Sequence, residues 1–203
     1  YDFPIFDACA EPFEFFKHYD SEANTISIAY KYGEDEHQKL LAQFQKAADE
    51  MLATVTPDMS DVEKAKNIYH ALCTRMAYDD SALEDWERKD SYYAYLHNSG
   101  VCITFANVYN QLLTQVGIKT TLATCDYDAT MGHAWSVVTL GGEDYFCDPT
   151  FELPYDNGSG YVYFGMNYAD RTKDGIGTGG IRAGKYFTYT VLPEMIAARS
   201  LNP

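Results

Sequence analysis

The sequence predicts an α+β domain, and three observations carry that prediction. Helical periodicity runs through the first half of the chain from about residue 40. After Gly117 the apolar residues switch to a period of two, and Gly141-Gly142 joins two of the resulting segments as a hairpin. Helices first and strands after give an antiparallel sheet rather than alternating βαβ units.

Each element follows from its local pattern. Residues 1–23 are aromatic and acidic without a clean period, and Thr25 to Tyr30 alternates as a strand with Ile26, Ile28 and Tyr30 on one side. Leu40, Leu41, Phe44, Ala47, Ala48, Met51, Leu52 and Val55 share one face of a first helix that Pro57 ends. Ser60-Asp61-Val62-Glu63 is a capping box, and it opens a second helix with Val62, Ala65, Ile68, Tyr69, Leu72 and Met76 inward. Tyr78–Asp90 is polar and reads as loop with a short helical turn. A third helix begins near Cys102, buries Phe105, Ala106, Tyr109, Leu112, Leu113 and Val116, and stops at Gly117. Strands follow over Ile118–Cys125, His133–Leu140 and Glu143–Asp148, then near Tyr161–Met166 and Tyr186–Leu192, with a glycine-rich loop between the last two. No repeat and no interdomain linker interrupts the pattern, so residues 1–203 are expected to form a single domain.

The composition limits the function. At 203 residues, 46% hydrophobic and 22% charged, the chain can bury a sizeable core. Its 18 tyrosines against 2 tryptophans fit half-buried strands and polar-tipped groove walls. The net charge of −15 repels phosphate backbones and excludes nucleic acid as a partner. No apolar run reaches the length of a membrane span, and no secretory leader pattern opens the chain. Because it begins at Tyr1, the chain is expected to be a processed or truncated product, so the missing leader pattern does not argue against export, and an exported or cell-surface location is the favoured one.

Five cysteines, at 9, 73, 102, 125 and 147, lack metal-type CxxC spacing, and an odd number leaves at least one thiol unpaired. Cys102 differs from the others because it stands in the first turn of a helix, just after Asn98-Ser99-Gly100. Unpaired amides and the helix dipole favour a negative charge there, which activates a thiol as a nucleophile and can hold an oxyanion. A small buried core residue is the alternative for Cys102 taken alone.

The hairpin supplies its partners. A two-residue turn at Gly141-Gly142 sets Leu140 opposite Glu143, which puts Asp148 opposite Trp135 and diagonal to His133 on one face. Diagonal neighbours lie about 7–8 Å apart, within reach of a carboxylate and an imidazole. A carboxylate on one ring nitrogen leaves the other facing a nucleophile. A three-residue loop would put Asp148 on the wrong face. In the expected register Cys147 faces the core, and Cys73 and Cys125 read as structural. His97 is a competing histidine, five residues before Cys102.

Ser91-Tyr92-Tyr93 followed by Gly100-Val101-Cys102-Ile103-Thr104-Phe105-Ala106 resembles the nucleophile segment of the transglutaminase-like superfamily. Gly132-His133-Ala134-Trp135 resembles its histidine strand and Asp148-Pro149-Thr150 its aspartate strand, and the 31- and 15-residue spacings fit. The resemblance covers roughly residues 60–153. Many relatives carry an acidic or glycine residue just after the cysteine, where this chain has Ile103-Thr104.

The resemblance implies a papain-like fold core in which the cysteine helix packs on an antiparallel sheet carrying the histidine and aspartate. It implies thiol-dependent acyl transfer at a peptide or carboxamide carbonyl, through a thioester on Cys102, with His133 and Asp148 completing a triad. Tyr93 and Trp135 become candidates for oxyanion or substrate contacts, and no metal or other cofactor is implied. A peptide or protein is the expected substrate and hydrolysis the expected outcome; a transamidating transglutaminase and a silent binding or cell-surface module are the alternatives. Gly175, Gly177 and Gly180 satisfy G-x-G-x-x-G but lack the strand before and helix after that a dinucleotide site needs. Asn157-Gly158-Ser159 matches a glycosylation acceptor.

Overall fold

The computed structural model describes residues 19–26, 33–84, 91–126, 132–156, 159–184 and 188–202. Cys9, His18, Asn157 and the 27–30 part of the expected first strand lie outside the described residues. A short pair, β1 (Tyr19–Asp20) and β2 (Thr25–Ile26), precedes three longer helices: α1 (Glu34–Leu52), α2 (Asp61–Arg75) and, after a further short one, α4 (Cys102–Gln115). Among the described residues, no helix is long and apolar enough to cross a membrane.

Helix α2 starts where the capping box requires. The Ser60 hydroxyl accepts from Glu63 N at 3.3 Å and the Glu63 carboxylate accepts from Ser60 N at 2.8 Å. At the other end of α4, Gly117 N and Ile118 N donate to Thr114 O and Leu113 O, the paired bonds of a Schellman close. Between α2 and α4 lie β3 (Ala77–Tyr78), α3 (Ser91–His97) and β4 (Ser99–Gly100). β3 and β4 pair in parallel, Tyr78 with Gly100. The chain just before Cys102 is therefore fixed to a segment over twenty positions upstream.

The sheet has the order β7-β6-β5-β8-β9, antiparallel throughout, from β5 (Thr120–Asp126), β6 (Gly132–Leu140), β7 (Glu143–Cys147), β8 (Ile181–Ala183) and β9 (Tyr189–Val191). Leu140 pairs with Glu143 and Ser136 with Cys147, the register of a two-residue turn. Gly141 and Gly142 have φ of 62° and 90°, the signs such a turn demands and only glycine adopts freely. One face, with Val138, Leu140, Tyr145 and Cys147, packs on Phe44, Ile68, Leu72, Tyr109 and Leu112 of the helices. The opposite face, with Cys125, Trp135, Val137 and Phe146, is covered by Met166, Ile176 and Ile196 from the C-terminal segment.

Three expectations change. Tyr161–Met166 is not a strand: Tyr161 and Gly165 have φ of 54° and 67°, and only a single bridge joins Met166 to Phe146. β8 lies beside the glycine-rich loop, where three residues between glycines show no period but find the free edge of β5. β7 ends at Cys147, one residue early, because Asp148 turns to cap the short helix α5 (Pro149–Glu152). A further helix, α6 (Tyr168–Thr172), is capped by the Asn167 side chain on Asp170 N at 2.8 Å.

Gly142→Val should lower the free energy of unfolding by about 1–2 kcal/mol, because a β-branched residue is strained at positive φ. Gly142→Asn should cost less. Urea denaturation of both variants measures this, and equal stability of Gly142→Val and wild type would contradict the turn.

Candidate active site

Cys102 is the first residue of α4, and the turn into that helix is crowded. A side chain on Gly100 would meet Thr104 at 2.7 Å, and the Thr104 hydroxyl accepts from Val101 N at 3.3 Å. Thr104 is fully buried, so this departure from the family pattern serves packing. Cys102 itself is half-buried, beside Leu122 and Ala134.

His133 is the second residue of β6 and belongs to the sheet face opposite Cys102's packing partners. The two meet at the start of the strand, where their side chains hydrogen-bond. His133 Nε2 lies 2.7 Å from Asp148 Oδ2, which leaves Nδ1 as the ring nitrogen for Cys102. The imidazole stacks with two aromatic rings, Phe151 at 4.3 Å and Trp135 at 5.6 Å between centroids.

Asp148 has no exposed surface and every polar atom is engaged. Its N donates to Tyr163 O at 2.8 Å, and its carbonyl accepts from the Tyr69 hydroxyl at 2.8 Å and Glu152 N at 3.2 Å. Oδ1 accepts from Phe151 N at 3.2 Å, and Oδ2 faces both His133 and, at 3.4 Å, Arg171 Nη2. A buried carboxylate this fully satisfied has one geometry.

The histidine's protonation follows from this balance. Burial pulls its pKa down, but the charge and hydrogen bond of Asp148, with Cys102 beside it, leave it pushed up to about 9. The other described cysteines are buried, and burial disfavours their thiolates. Burial drives the Cys73 thiol far up, Cys147 up to about 12 and Cys125 also upward. A thiol held neutral is a poor nucleophile.

Of the other sequence candidates, Trp135 is fully buried and meets the site through its stack on His133. Tyr93 lies on α3 with its ring stacked on His97 at 4.0 Å, and His97 is exposed. The glycine-rich loop leads into β8, a strand. Tyr78, at the start of a stretch whose sequence predicts loop, has an exposed ring stacked over Phe105, and its hydroxyl takes a hydrogen bond from the Cys102 backbone. Desolvation and the nearby Cys102 push its pKa up to about 12. No local period marks Tyr78; only the β3–β4 pairing brings it here.

The chain belongs to the transglutaminase-like superfamily, whose family model matches residues 45–149, just over half of it. Among solved structures it is similar to a TGase, at 13% identity and a TM-score of 0.49, over 59% of this chain and 34% of that one. It is also similar to a protein from Cytophaga hutchinsonii provisionally named a cysteine protease, at 18% identity and a TM-score of 0.43, over 63% and 46%. An arylamine N-acetyltransferase from Bacillus cereus is similar at 19% identity and a TM-score of 0.42, over 53% and 49%. The alignments thus span less than half of each of those chains. No curated protein matches the chain significantly.

A base whose pKa rises from 6.5 unfolded to about 9 folded stabilises the fold fully below pH 6.5, and that contribution is lost as pH climbs through about 9. Thermal melting of wild type should therefore fall across that window. Asp148→Asn should melt lower and depend less on pH there; an equally steep dependence would contradict the paired imidazolium.

Proposed function

We propose that the chain catalyses thiol-dependent acyl transfer at a peptide or carboxamide carbonyl, with water as the final acceptor. The observation that carries this reading is the 2.7 Å contact of His133 Nε2 with Asp148, whose partner nitrogen serves Cys102 at a helix N-terminus. Family membership supports cysteine-based acyl transfer as the reaction class. Peptide or amide hydrolysis is the specific reading we add.

The Cys102 thiolate attacks the carbonyl carbon, forming an S–C bond as the π pair moves to oxygen. Amides of the first helical turn favour that oxyanion. Tyr78, bonded to the Cys102 backbone, is a better-supported neighbour for it than Tyr93, whose ring stacks on His97. When the carbonyl re-forms, the C–N bond breaks and the leaving amine takes the His133 proton. His133, now neutral, removes a proton from water, which attacks the thioester. The S–C bond breaks, a carboxylic acid leaves and the thiolate returns. Asp148 holds the Nε2 proton throughout, fixing the ring. Water is by far the most concentrated acceptor; an amine attacking the same thioester would give transamidation.

Iodoacetamide labelling from about pH 4 to 9, read by peptide mass spectrometry, tests the nucleophile. Cys102 should be alkylated selectively and faster than Cys125 or Cys147, and His133→Ala should weaken this. Once a substrate is found, Cys102→Ala and His133→Ala should each reduce turnover by at least about a thousandfold. Labelling of Cys102 no faster than of Cys125 or Cys147 would overturn the reading in favour of a silent binding module.

A further inference from the structure

Arg171 lies outside the segment matched by the family model and has no exposed surface. A guanidinium stays charged, so burying one requires countercharge and π-faces nearby. Two carboxylates supply the charge: Asp148, with Oδ2 3.4 Å from Nη2, and Asp174, with Oδ2 3.3 Å from Nη1. Three rings supply the faces, Trp135 at 4.6 Å, Phe151 at 5.3 Å and Tyr163 at 5.9 Å from the guanidinium carbon.

Those partners are the residues that hold His133. Asp148 binds its Nε2, and Trp135 and Phe151 stack on its ring. One buried cation thus touches all three, from a five-residue helix. Its charge also bears on the imidazolium. Asp148 Oδ2 is shared by two cations, so neither receives the whole of its attraction.

We propose that Arg171 is the positioning residue of this site: it clamps Asp148, Trp135 and Phe151 around His133 and, by sharing the Asp148 charge, makes the imidazolium give up its proton more readily than Asp148 alone would allow. The consequence for catalysis rests on the acyl-transfer reading; the coupling to His133 does not.

The groups around His133 come from several elements. Cys102 approaches from α4, with Tyr78 at its backbone, and Asp148 from the end of β7. Cys125 is its register partner on β5, and the next pair brings Asp126, bridged by Arg182 of β8 at 3.0 Å. Arg171 comes from α6 with Asp174 behind it, and Tyr163 borders Phe151. Of these, Arg171 and Asp174 can be changed without touching an atom that contacts the imidazole.

The test follows the His133 ring nitrogens by 15N NMR of the full chain from about pH 5 to pH 11, assigned by the loss of signals in His133→Gln. In Arg171→Met the His133 midpoint should rise by about one pH unit, a tenfold change in the proton equilibrium. Arg171→Lys should restore it to within about a third of a unit of wild type. Asp174→Asn, a change on a partly exposed side chain, should shift it the opposite way by a few tenths, because more of the Arg171 charge then falls on Asp148. Should Arg171→Met not fold, the opposite shift in Asp174→Asn decides. Midpoints unmoved in Asp174→Asn, or moved upward, would overturn the proposal, as would a fall in Arg171→Met. Iodoacetamide labelling of Cys102 in the same samples separates the two readings: an unreactive Cys102 in wild type removes the acyl-transfer function, while the His133 shifts still report on Arg171.

Discussion

A charged imidazole against a fully buried carboxylate is the constraint around which this site is built. Removing Asp148 and His133 from water is costly, and one without the other would leave an uncompensated charge, typically a loss of about 3–5 kcal/mol. The pair persists because both carboxylate oxygens of Asp148 are engaged, Oδ1 by the Phe151 amide and Oδ2 by His133 and the charge of Arg171, and because its backbone is tied to Tyr163 and Tyr69. Tyr69 comes from α2 and Tyr163 from the segment after α5, so the carboxylate joins both layers. Rings on His133 then exclude water from a contact that solvent would weaken.

Secondary structure delivers these groups by two independent devices. The Gly141-Gly142 turn fixes which residues of β6 and β7 share a face, and a one-residue slip would send Asp148 into the helical core in place of Cys147. The start of α4 fixes Cys102, through the crowding of Gly100 on Thr104 and the β3–β4 pairing that ties Tyr78 to Gly100. Cys102 and His133 approach from opposite faces of the sheet and meet at its end. The sulfur that stays half-buried there contrasts with Cys73, Cys125 and Cys147, whose burial holds them as neutral thiols.

Much of this was legible in the sequence because it is local. Glycine pairs set hairpin register, Ser60 and Glu63 cap α2, and apolar spacing marks the faces of α1, α2 and α4. The pairing of His133 with Asp148 followed from counting residues across one turn. What escaped is tertiary. β8 has only three residues and exists because β5 offers an open edge, while residues 161–166 fold into turns whose amides bind the buried Glu152. Tyr78 and Arg171 reach the site by long-range pairing and by a five-residue helix, and neither has a periodic neighbour to announce it. In the sequence Arg171 was one of several C-terminal basic residues; only its burial against Asp148 distinguishes it.

The most direct measurement is acylation of the full chain by a p-nitrophenyl ester, followed by intact and peptide mass spectrometry in wild type and Asp148→Asn. If the Asp148-anchored His133 makes Cys102 an acyl acceptor, wild type should show a rapid burst of p-nitrophenolate and one acyl group, released by hydroxylamine, on Cys102. Asp148→Asn should lose the burst by an order of magnitude or more, since the ring is no longer held by a charge. Acylation scattered over lysines and tyrosines with Cys102 unmodified, or an undiminished burst in Asp148→Asn, would contradict the account.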